Sequence, residues 1–157
     1  KILGAPPLIA VARRDEQLAF AVETAGADAA VNASRDDLVA RLRELTKGRG
    51  PDLIIDTSGS LELMAAAVPA LSEKGRIAGY ATYPRGRQPT AVLPPDRVAA
   101  GKTGEDTAHD YMLSAVRLGL VRLRDFYTDT MPLSDIAAGF ARLERKDAMK
   151  IVFTMEA

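Results

Sequence analysis

Short apolar runs alternate with longer segments of helical periodicity along this chain, and this alternation restricts the fold class more than any other feature. Residues 8–12 and 53–57 are apolar over most of their length, which is typical of strands buried on both faces. Between them, Leu18, Val22 and Ala25 recur at helical spacing. Strands that alternate with helices through short connections predict an α/β fold with a doubly wound parallel sheet.

The same periodicity places the remaining elements. Further strands are predicted at residues 28–31, 75–80, 126–128 and 151–153. Further helices are predicted after a capping pattern at residues 34–37, over 61–71 with a kink or an early end at Pro69, near 111–116, and over 136–143. Residues 84–105 carry four of the nine prolines and three of the twelve glycines, so this stretch is predicted to be mostly loop, with a weak strand near Val98.

Composition excludes several classes of protein. The 157 residues include 21 Lys+Arg and 21 Asp+Glu, so the net charge is zero, unlike that of a general binder of nucleic acid or anionic membrane. The absence of cysteine excludes disulfides, thiolate metal sites and cysteine nucleophiles, and the lone His109 cannot form a histidine-cluster metal site. No apolar run approaches the roughly 20 residues of a membrane span. We therefore expect a soluble cytoplasmic protein.

Folds of this class bind ligands beyond the carboxyl ends of their strands, which directs attention to residues 12–14, 57–59 and 79–81. Arg13 and Arg14 follow the first strand, at the point where a dinucleotide-binding protein places either an acidic residue for the ribose 2′-hydroxyl or an arginine for a 2′-phosphate. A guanidinium can bind phosphate in a bidentate manner. The alternative interpretation is a solvated arginine pair at the start of a helix.

Two other strand ends have the same two interpretations. Thr57 and Ser58 next to Gly59 suit a ribose or an adenine edge, although ordinary turn chemistry accounts for them equally well. Gly79 allows close approach to the backbone, either by a ligand or by neighbouring side chains. His109 is interpreted as a surface residue rather than a catalytic base. Neither a nucleophile elbow nor a lysine-containing phosphate loop is present in the sequence.

Several segments, taken together in their order and spacing, resemble the medium-chain dehydrogenase/reductase superfamily, and in particular the zinc-type alcohol dehydrogenases. The resemblance extends over nearly the whole chain. It is carried by residues 9–18 (IAVARRDEQL), 25–32 (AGADAAVN), 48–59 (GRGPDLIIDTSG), 74–77 (KGRI), 131–140 (MPLSDIAAGF) and 149–152 (MKIV).

The resemblance implies a domain organisation. Members carry a GroES-like catalytic domain with the zinc ligands, followed by the first Rossmann strand and its glycine-rich loop, and none of these is visible in this sequence. Residues 1–124 would then be an N-terminally incomplete cofactor-binding domain, and residues 125–157 a segment of the catalytic domain. In the strand order 3-2-1-4-5-6, the first strand lies between the second and the fourth. Without it the sheet would split and leave two hydrophobic edges, so we expect a fragment of a longer enzyme.

The resemblance also implies a cofactor. Ala12 stands where NAD-preferring members usually place aspartate, and Arg13 stands where NADP-preferring members place arginine. NADP(H) is therefore favoured over NAD(H), with Arg14 as a second cation. The other implied contacts are Asn32 near the adenine, Thr57, Ser58 and Gly59 beside the adenosine ribose, Gly79, Tyr80 and Ala81 beside the nicotinamide, and Lys150 against the pyrophosphate. The resemblance implies no catalytic residue and no metal ligand within this chain.

The implied activity is hydride transfer between the nicotinamide and an alcohol/carbonyl pair, with zinc in the parent enzyme polarising the substrate oxygen. A zinc-free quinone or enone reductase of the same superfamily and a non-catalytic truncated binding module stay open as alternatives. A methyltransferase is disfavoured because it would need an acidic residue at the first strand end. The short, proline-rich stretch 84–105 departs from the family strand that often makes the dimer contact, so a homo-oligomer is left open.

Overall fold

The computed structural model describes residues 4–83, 88–99 and 105–155. The chain divides into two compact units, Lys1–Lys102 and Thr103–Ala157. The domain boundary at 124/125 implied by the family resemblance stays a prediction. In the part of the chain that is described, no helix combines the length and the apolar character that crossing a membrane requires.

The first unit is built from parallel strands joined by helices. Its elements are β1 (Ile9–Ala12), α1 (Asp15–Glu23), β2 (Ala29–Asn32), α2 (Leu38–Leu45), β3 (Leu53–Asp56), α3 (Leu61–Ala67) and β4 (Arg76–Gly79). β1 pairs with β2 so that Ala12 lies opposite Asn32, and β3 pairs with β4 so that Asp56 lies opposite Gly79. Both pairings are parallel, which confirms the predicted α/β class and its parallel strands.

Helix termini show where local sequence rules succeeded and where they failed. α2 is capped by Asp37, whose side chain accepts a hydrogen bond from the Ala40 amide at 3.0 Å. The predicted capping pattern starting at Ser34 is therefore wrong in register, and the Ser34 amide instead donates to the Asn32 side chain. The predicted early end of α3 is confirmed, since the chain continues past α3 only as the short 3₁₀ turn Val68–Ala70 around Pro69.

Two clusters of buried apolar side chains are found among the described residues of the first unit. The larger contains Leu61, Met64, Leu71, Ile77 and Leu93. The smaller contains Val31, Leu42 and Ala70. The larger cluster covers one face of β3, where Ile54 packs against it. On the other face, Leu53 is 54% exposed and Ile55 is 59% exposed, so the prediction that β3 is buried on both faces is wrong.

The exposed face of β3 belongs to a cleft between β3 and β1. The cleft has a volume of about 460 Å³ and is lined mainly by apolar side chains, among them Leu8, Val11, Leu53 and Ile55. Within the described residues, no strand pairs with the edge of β1 or β3 that borders it, and β1–β2 and β3–β4 are separate two-stranded sheets. This confirms the prediction that the sheet is split. The gap lies between β1 and β3, and each of these two strands has a hydrophobic edge that faces it.

Residues 88–99 form two 3₁₀ turns, Pro89–Ala91 and Pro95–Arg97, followed by a single parallel bridge between Val98 and Ile77. This confirms a loop with a weak strand near Val98. The Arg97 guanidinium fastens the loop by donating to the carbonyl oxygens of Ser72 and Gly75 at 3.0 and 3.1 Å. The rest of the predicted loop, residues 84–87 and 100–104, lies outside the described residues.

The second unit contains α4 (Glu105–Arg117), β5 (Asp129–Pro132), α5 (Ile136–Glu144) and β6 (Ile151–Thr154), with β5 parallel to β6. The strand predicted at residues 126–128 is wrong, because Leu123–Phe126 forms a 3₁₀ turn and β5 begins at Asp129. Aspartate has a low strand propensity. Here the Asp129 carboxylate accepts two hydrogen bonds at 3.0 Å from Arg142 of α5, a long-range contact that local sequence does not reveal.

Candidate cofactor site

Ten of the eleven predicted cofactor residues lie at the carboxyl ends of the strands of the first unit. They form two groups, one beyond β1 and β2 and one beyond β3 and β4. The first group is Ala12, Arg13, Arg14 and Asn32. The second is Thr57, Ser58, Gly59, Gly79, Tyr80 and Ala81. Lys150 belongs to the second unit. The assignment of these residues to a cofactor stays a prediction.

The two arginines beyond β1 are available to bind an anion. Arg13 is exposed and Arg14 is half-buried. Over the described ranges, neither guanidinium has an ion pair or a hydrogen bond to another group of the protein. Arg14 takes the cap position of α1 in an extended conformation and leaves the cap without a side-chain hydrogen bond. A small residue followed by two unpaired guanidiniums is a suitable arrangement for a phosphate.

Asn32 is buried and its side chain is already engaged by the protein. Its amide nitrogen Nδ2 donates to Asp15 Oδ1 at 2.9 Å, and its oxygen accepts from the Ser34 amide at 2.9 Å. Asp15 Oδ2 accepts from Arg35 at 2.8 Å. These hydrogen bonds, first from Arg35 and then from Asn32, hold the pKa of Asp15 below its ordinary value. Asn32 therefore ties the loop after β2 to the start of α1.

A buried carboxylate organises the second group. Asp56, the last residue of β3, is only 7% exposed. It accepts four hydrogen bonds: from the Ser58 hydroxyl at 2.6 Å, the Ser58 amide at 3.0 Å, the Gly59 amide at 3.2 Å and the Tyr83 hydroxyl at 2.7 Å. The Ser58 hydroxyl also accepts from the Ser60 amide. The polar groups of Ser58 are thus used to build the turn, whereas the Thr57 side chain is exposed.

The ionisation of this pair follows from its geometry. Burial by itself raises the pKa of Asp56, but the hydrogen bonds from Ser58, Tyr83 and Gly59 outweigh it, so the pKa lies below its ordinary value. Burial and the hydrogen bond to Asp56 raise the pKa of Tyr83 to about 12. At neutral pH the pair is therefore a carboxylate that accepts from a neutral phenol.

The glycines of the second group are required by contacts within the protein. A Cβ on Gly79 would lie 2.6 Å from the Tyr83 hydroxyl and 3.1 Å from Pro89 Cγ. A Cβ on Gly59 would lie 2.9 Å from the Thr82 carbonyl oxygen. The close approach to the β4 backbone predicted from the sequence is therefore made by Tyr83.

Tyr80 and Lys150 are both open to solvent. Tyr80 is 83% exposed beyond the end of β4. Lys150 precedes β6, and its carbonyl oxygen accepts from the amide and the hydroxyl of Thr128 at 2.9 and 3.0 Å. Its ammonium group is exposed. Both side chains are free to contact a ligand.

No group of three or more His, Cys, Asp or Glu side chains that could hold a metal ion is found among the residues the structure describes. That this chain contributes no metal ligand stays a prediction.

Sequence reasoning missed three residues that shape the site: Asp56, Tyr83 and Arg35. A signal existed for Asp56, since a carboxylate that ends an apolar strand and precedes Thr-Ser-Gly must find buried donors. Tyr83 and Arg35 gave no such signal, because their partners lie 27 and 20 residues away in the sequence.

Comparison with known proteins identifies the family to which this chain belongs. The sequence profile of the zinc-binding dehydrogenase family matches residues 1–103. This chain belongs to the zinc-binding dehydrogenase family.

Among curated relatives, the L-threonine 3-dehydrogenase of Bacillus velezensis is 28% identical over 159 residues, which cover 97% of this chain and 45% of that protein. The NAD-dependent alcohol dehydrogenase of Sulfurisphaera tokodaii is 34% identical over 76 residues, which cover 48% of this chain and 22% of that protein. The chain therefore spans less than half the length of these relatives.

Solved structures show the same fold. The alcohol dehydrogenase TADH from Thermus sp. ATN1 superposes with a TM-score of 0.81 at 24% identity, covering 99% of this chain and 46% of that one. The small parallel sheets of this chain therefore resemble the Rossmann-like domain of alcohol dehydrogenases, as predicted.

Proposed function

We propose that this chain is the cofactor-binding part of an NADP(H)-preferring, alcohol dehydrogenase-like oxidoreductase. The reaction is hydride transfer between the nicotinamide and an alcohol/carbonyl pair. The observation that supports the cofactor preference is the exposed guanidinium of Arg13, without an ion pair, directly after Ala12 at the end of β1. A carboxylate at this strand end would favour a ribose diol, whereas a methyl group and two cations favour a phosphate.

Each group of strand-end residues has a proposed task. Arg13 and Arg14 bind the 2′-phosphate, and the exposed Thr57 contacts the adenosine ribose from the turn that Asp56 holds. Tyr80 lies beside the nicotinamide. When bound, the nicotinamide ring gives or accepts the hydride, and the protein supplies binding and orientation.

Residues 1–124 are proposed to form the cofactor-binding domain and residues 125–157 a segment of a catalytic domain. No group of side chains suited to zinc is found among the described residues, and in this proposal the zinc ligands belong to the rest of the enzyme. A zinc-free quinone or enone reductase remains the alternative. Metal analysis of the full-length protein, combined with turnover of alcohols against enones, separates the two activities.

The cofactor preference is tested with Arg13→Asp in the full-length protein. We expect the dissociation constant for NADPH to rise about 100-fold, because the change removes a charge-assisted contact and places a carboxylate beside the phosphate. The constant for NADH should change by less than about threefold. Both are measured by quenching of intrinsic fluorescence or by calorimetry.

The matched control is Arg124→Asp, which makes the same change at an exposed arginine of the second unit. It should leave both constants unchanged. Equal losses of affinity for NADPH and NADH in Arg13→Asp would refute the NADP(H) preference. So would tighter binding of NADH than of NADPH by the unaltered protein, the preference that the name of the Sulfurisphaera relative would suggest.

A further inference from the structure

We propose that Arg35 is a positioning residue for cofactor choice: together with Asn32 it occupies the Asp15 carboxylate, and so keeps Arg13 and Arg14 free to bind a phosphate. The inference rests on the proposed function and deepens it. It concerns the loop after β2, which carries Arg35, and the first turn of α1, which carries Asp15.

Asp15 lies at the strand end to which the proposed function assigns the phosphate. Asp15 opens α1 two residues after Arg13. Its two oxygens are taken by different partners, Oδ1 by Asn32 at 2.9 Å and Oδ2 by Arg35 at 2.8 Å. Asn32 lies opposite Ala12 in the register of β1 and β2. The carboxylate and its partners therefore lie at the strand end that carries the two arginines.

The charge balance at this strand end depends on Arg35. Its guanidinium faces two carboxylates, Asp15 at 2.8 Å and Asp36 at 3.7 Å. Glu16, also in the first turn of α1, adds a third negative charge. Without Arg35, Asp15 would remain charged and within two residues of Arg13, where it would attract the arginines and repel the phosphate. Arg35 thus acts on the ligand through Asp15.

The pair is suited to a substitution test because it contributes little to folding. The side chains of Arg35 and Asp15 are 61% and 64% exposed, and exposed ion pairs contribute little stability. Asn32 is buried and continues to hold Asp15 when Arg35 is removed. The substitution Arg35→Gln therefore leaves a fixed, uncompensated carboxylate.

We expect Arg35→Gln in the full-length protein to raise the dissociation constant for NADPH about three- to tenfold. The dissociation constant for NADH should change by less than about twofold. The loss should shrink as ionic strength rises from about 0.05 to about 0.5 M, because salt screens exposed charges. Binding is measured by fluorescence titration, and melting temperature is measured alongside.

Two further variants make the test specific. Asp15→Asn combined with Arg35→Gln removes both charges and should restore NADPH binding to within about twofold of the unaltered protein. Arg49→Gln is the matched control, since Arg49 pairs with Asp52 at 3.0 Å with 67% and 64% exposure and precedes β3 rather than following a strand. It should leave both cofactor constants unchanged.

The inference is overturned when Arg35→Gln weakens the binding of NADPH and of NADH equally, or when it leaves NADPH binding intact. It is also overturned when Asp15→Asn does not restore NADPH binding to the Arg35→Gln variant. These results are distinguishable from failure of the proposed function. When Arg13→Asp abolishes the NADPH preference but Arg35→Gln does not change it, only the role of Arg35 is refuted. When the unaltered protein shows no NADPH preference, the proposed function and this inference fall together.

Discussion

At the scale of single residues, Asp56 is the group on which the second half of the site depends. Its carboxylate is nearly buried and gathers the Ser58 and Gly59 amides and the Tyr83 hydroxyl around one point. Thr57, the residue proposed to face the ribose, directly follows it. The hydrogen bonds that this buried carboxylate accepts favour its ionised form.

Asp56→Asn should destabilise the protein by about 1–3 kcal/mol, since the NH2 group of asparagine replaces one of the two acceptor oxygens and faces a donor, either the Ser58 amide on one side or the Gly59 amide on the other. Chemical denaturation measures the loss. Asp147→Asn is the control, because the Asp147 carboxylate pairs with Arg145 at an exposed site. A loss equal to that of the control would contradict the assigned role of Asp56.

The lowered pKa of Asp56 also predicts a pH dependence. Since its pKa is lower in the folded than in the unfolded protein, its contribution is fully present above the ordinary aspartate value of about 3.9 and is lost as pH falls through the folded value. The free energy of unfolding should therefore drop less steeply below about pH 4 in Asp56→Asn than in the unaltered protein. If the free energy of unfolding falls with pH equally steeply in Asp56→Asn and in the unaltered protein, this assignment is refuted.

At the scale of elements, the connection from α2 to β3 shows how close packing restricts a loop. Gly48 and Gly50 both have φ near +80°, a region that favours glycine. A Cβ on Gly50 would overlap the Ala70 carbonyl oxygen and lie 2.8 Å from the Ser72 nitrogen, whereas a Cβ on Gly48 would meet nothing within 4 Å. The two glycines therefore share a backbone conformation and differ only in the space available for a side chain.

Gly50→Ala should cost the protein about 3 kcal/mol or more, because backbone must move to admit the methyl group. Gly48→Ala is its matched control and should cost only about 1 kcal/mol, from the left-handed conformation alone. Thermal and denaturant unfolding of both variants give the comparison. Equal losses would show that the contact of Gly50 with residues 70–72 is unimportant.

At the scale of the whole molecule, the feature with the largest consequence is that β1–β2 and β3–β4 form two separate sheets. Leu53 and Ile55 are more than half exposed beside strand edges that no described strand covers. An exposed, apolar strand edge is a template for association with another chain. The geometry suits one further apolar strand between β1 and β3, as the family resemblance implies.

We therefore expect the 157-residue chain, prepared by itself, to self-associate and to bind a hydrophobic dye. Ile55→Lys should reduce both effects, because a charged side chain on the edge opposes strand pairing and hydrophobic contact. Leu118→Lys, at a residue that is 74% exposed in the second unit, is the control for a general gain in solubility. Analytical ultracentrifugation and dye fluorescence are the measurements, and equal effects of the two variants would contradict the role of this edge.

Most elements could be predicted from the sequence because their signals are local. Apolar runs and helical spacing located β1, α1, β3 and α5, and Pro69 located the end of α3. The resemblance of ordered segments identified the family. It also predicted the split of the sheet, because it implied that the family strand between β1 and β3 is not among these residues.

What only the tertiary structure decided depends on contacts between residues far apart in the chain. Asp129 at the start of β5 forms an ion pair with Arg142, 13 residues away, and Asp56 at the end of β3 accepts from the hydroxyl of Tyr83, 27 residues further along the chain. Arg35 reaches Asp15 across 20 residues. Local periodicity carries no information about such pairs, since a hydrogen bond between residues far apart in the sequence exists only after strand pairing or helix packing has brought them together.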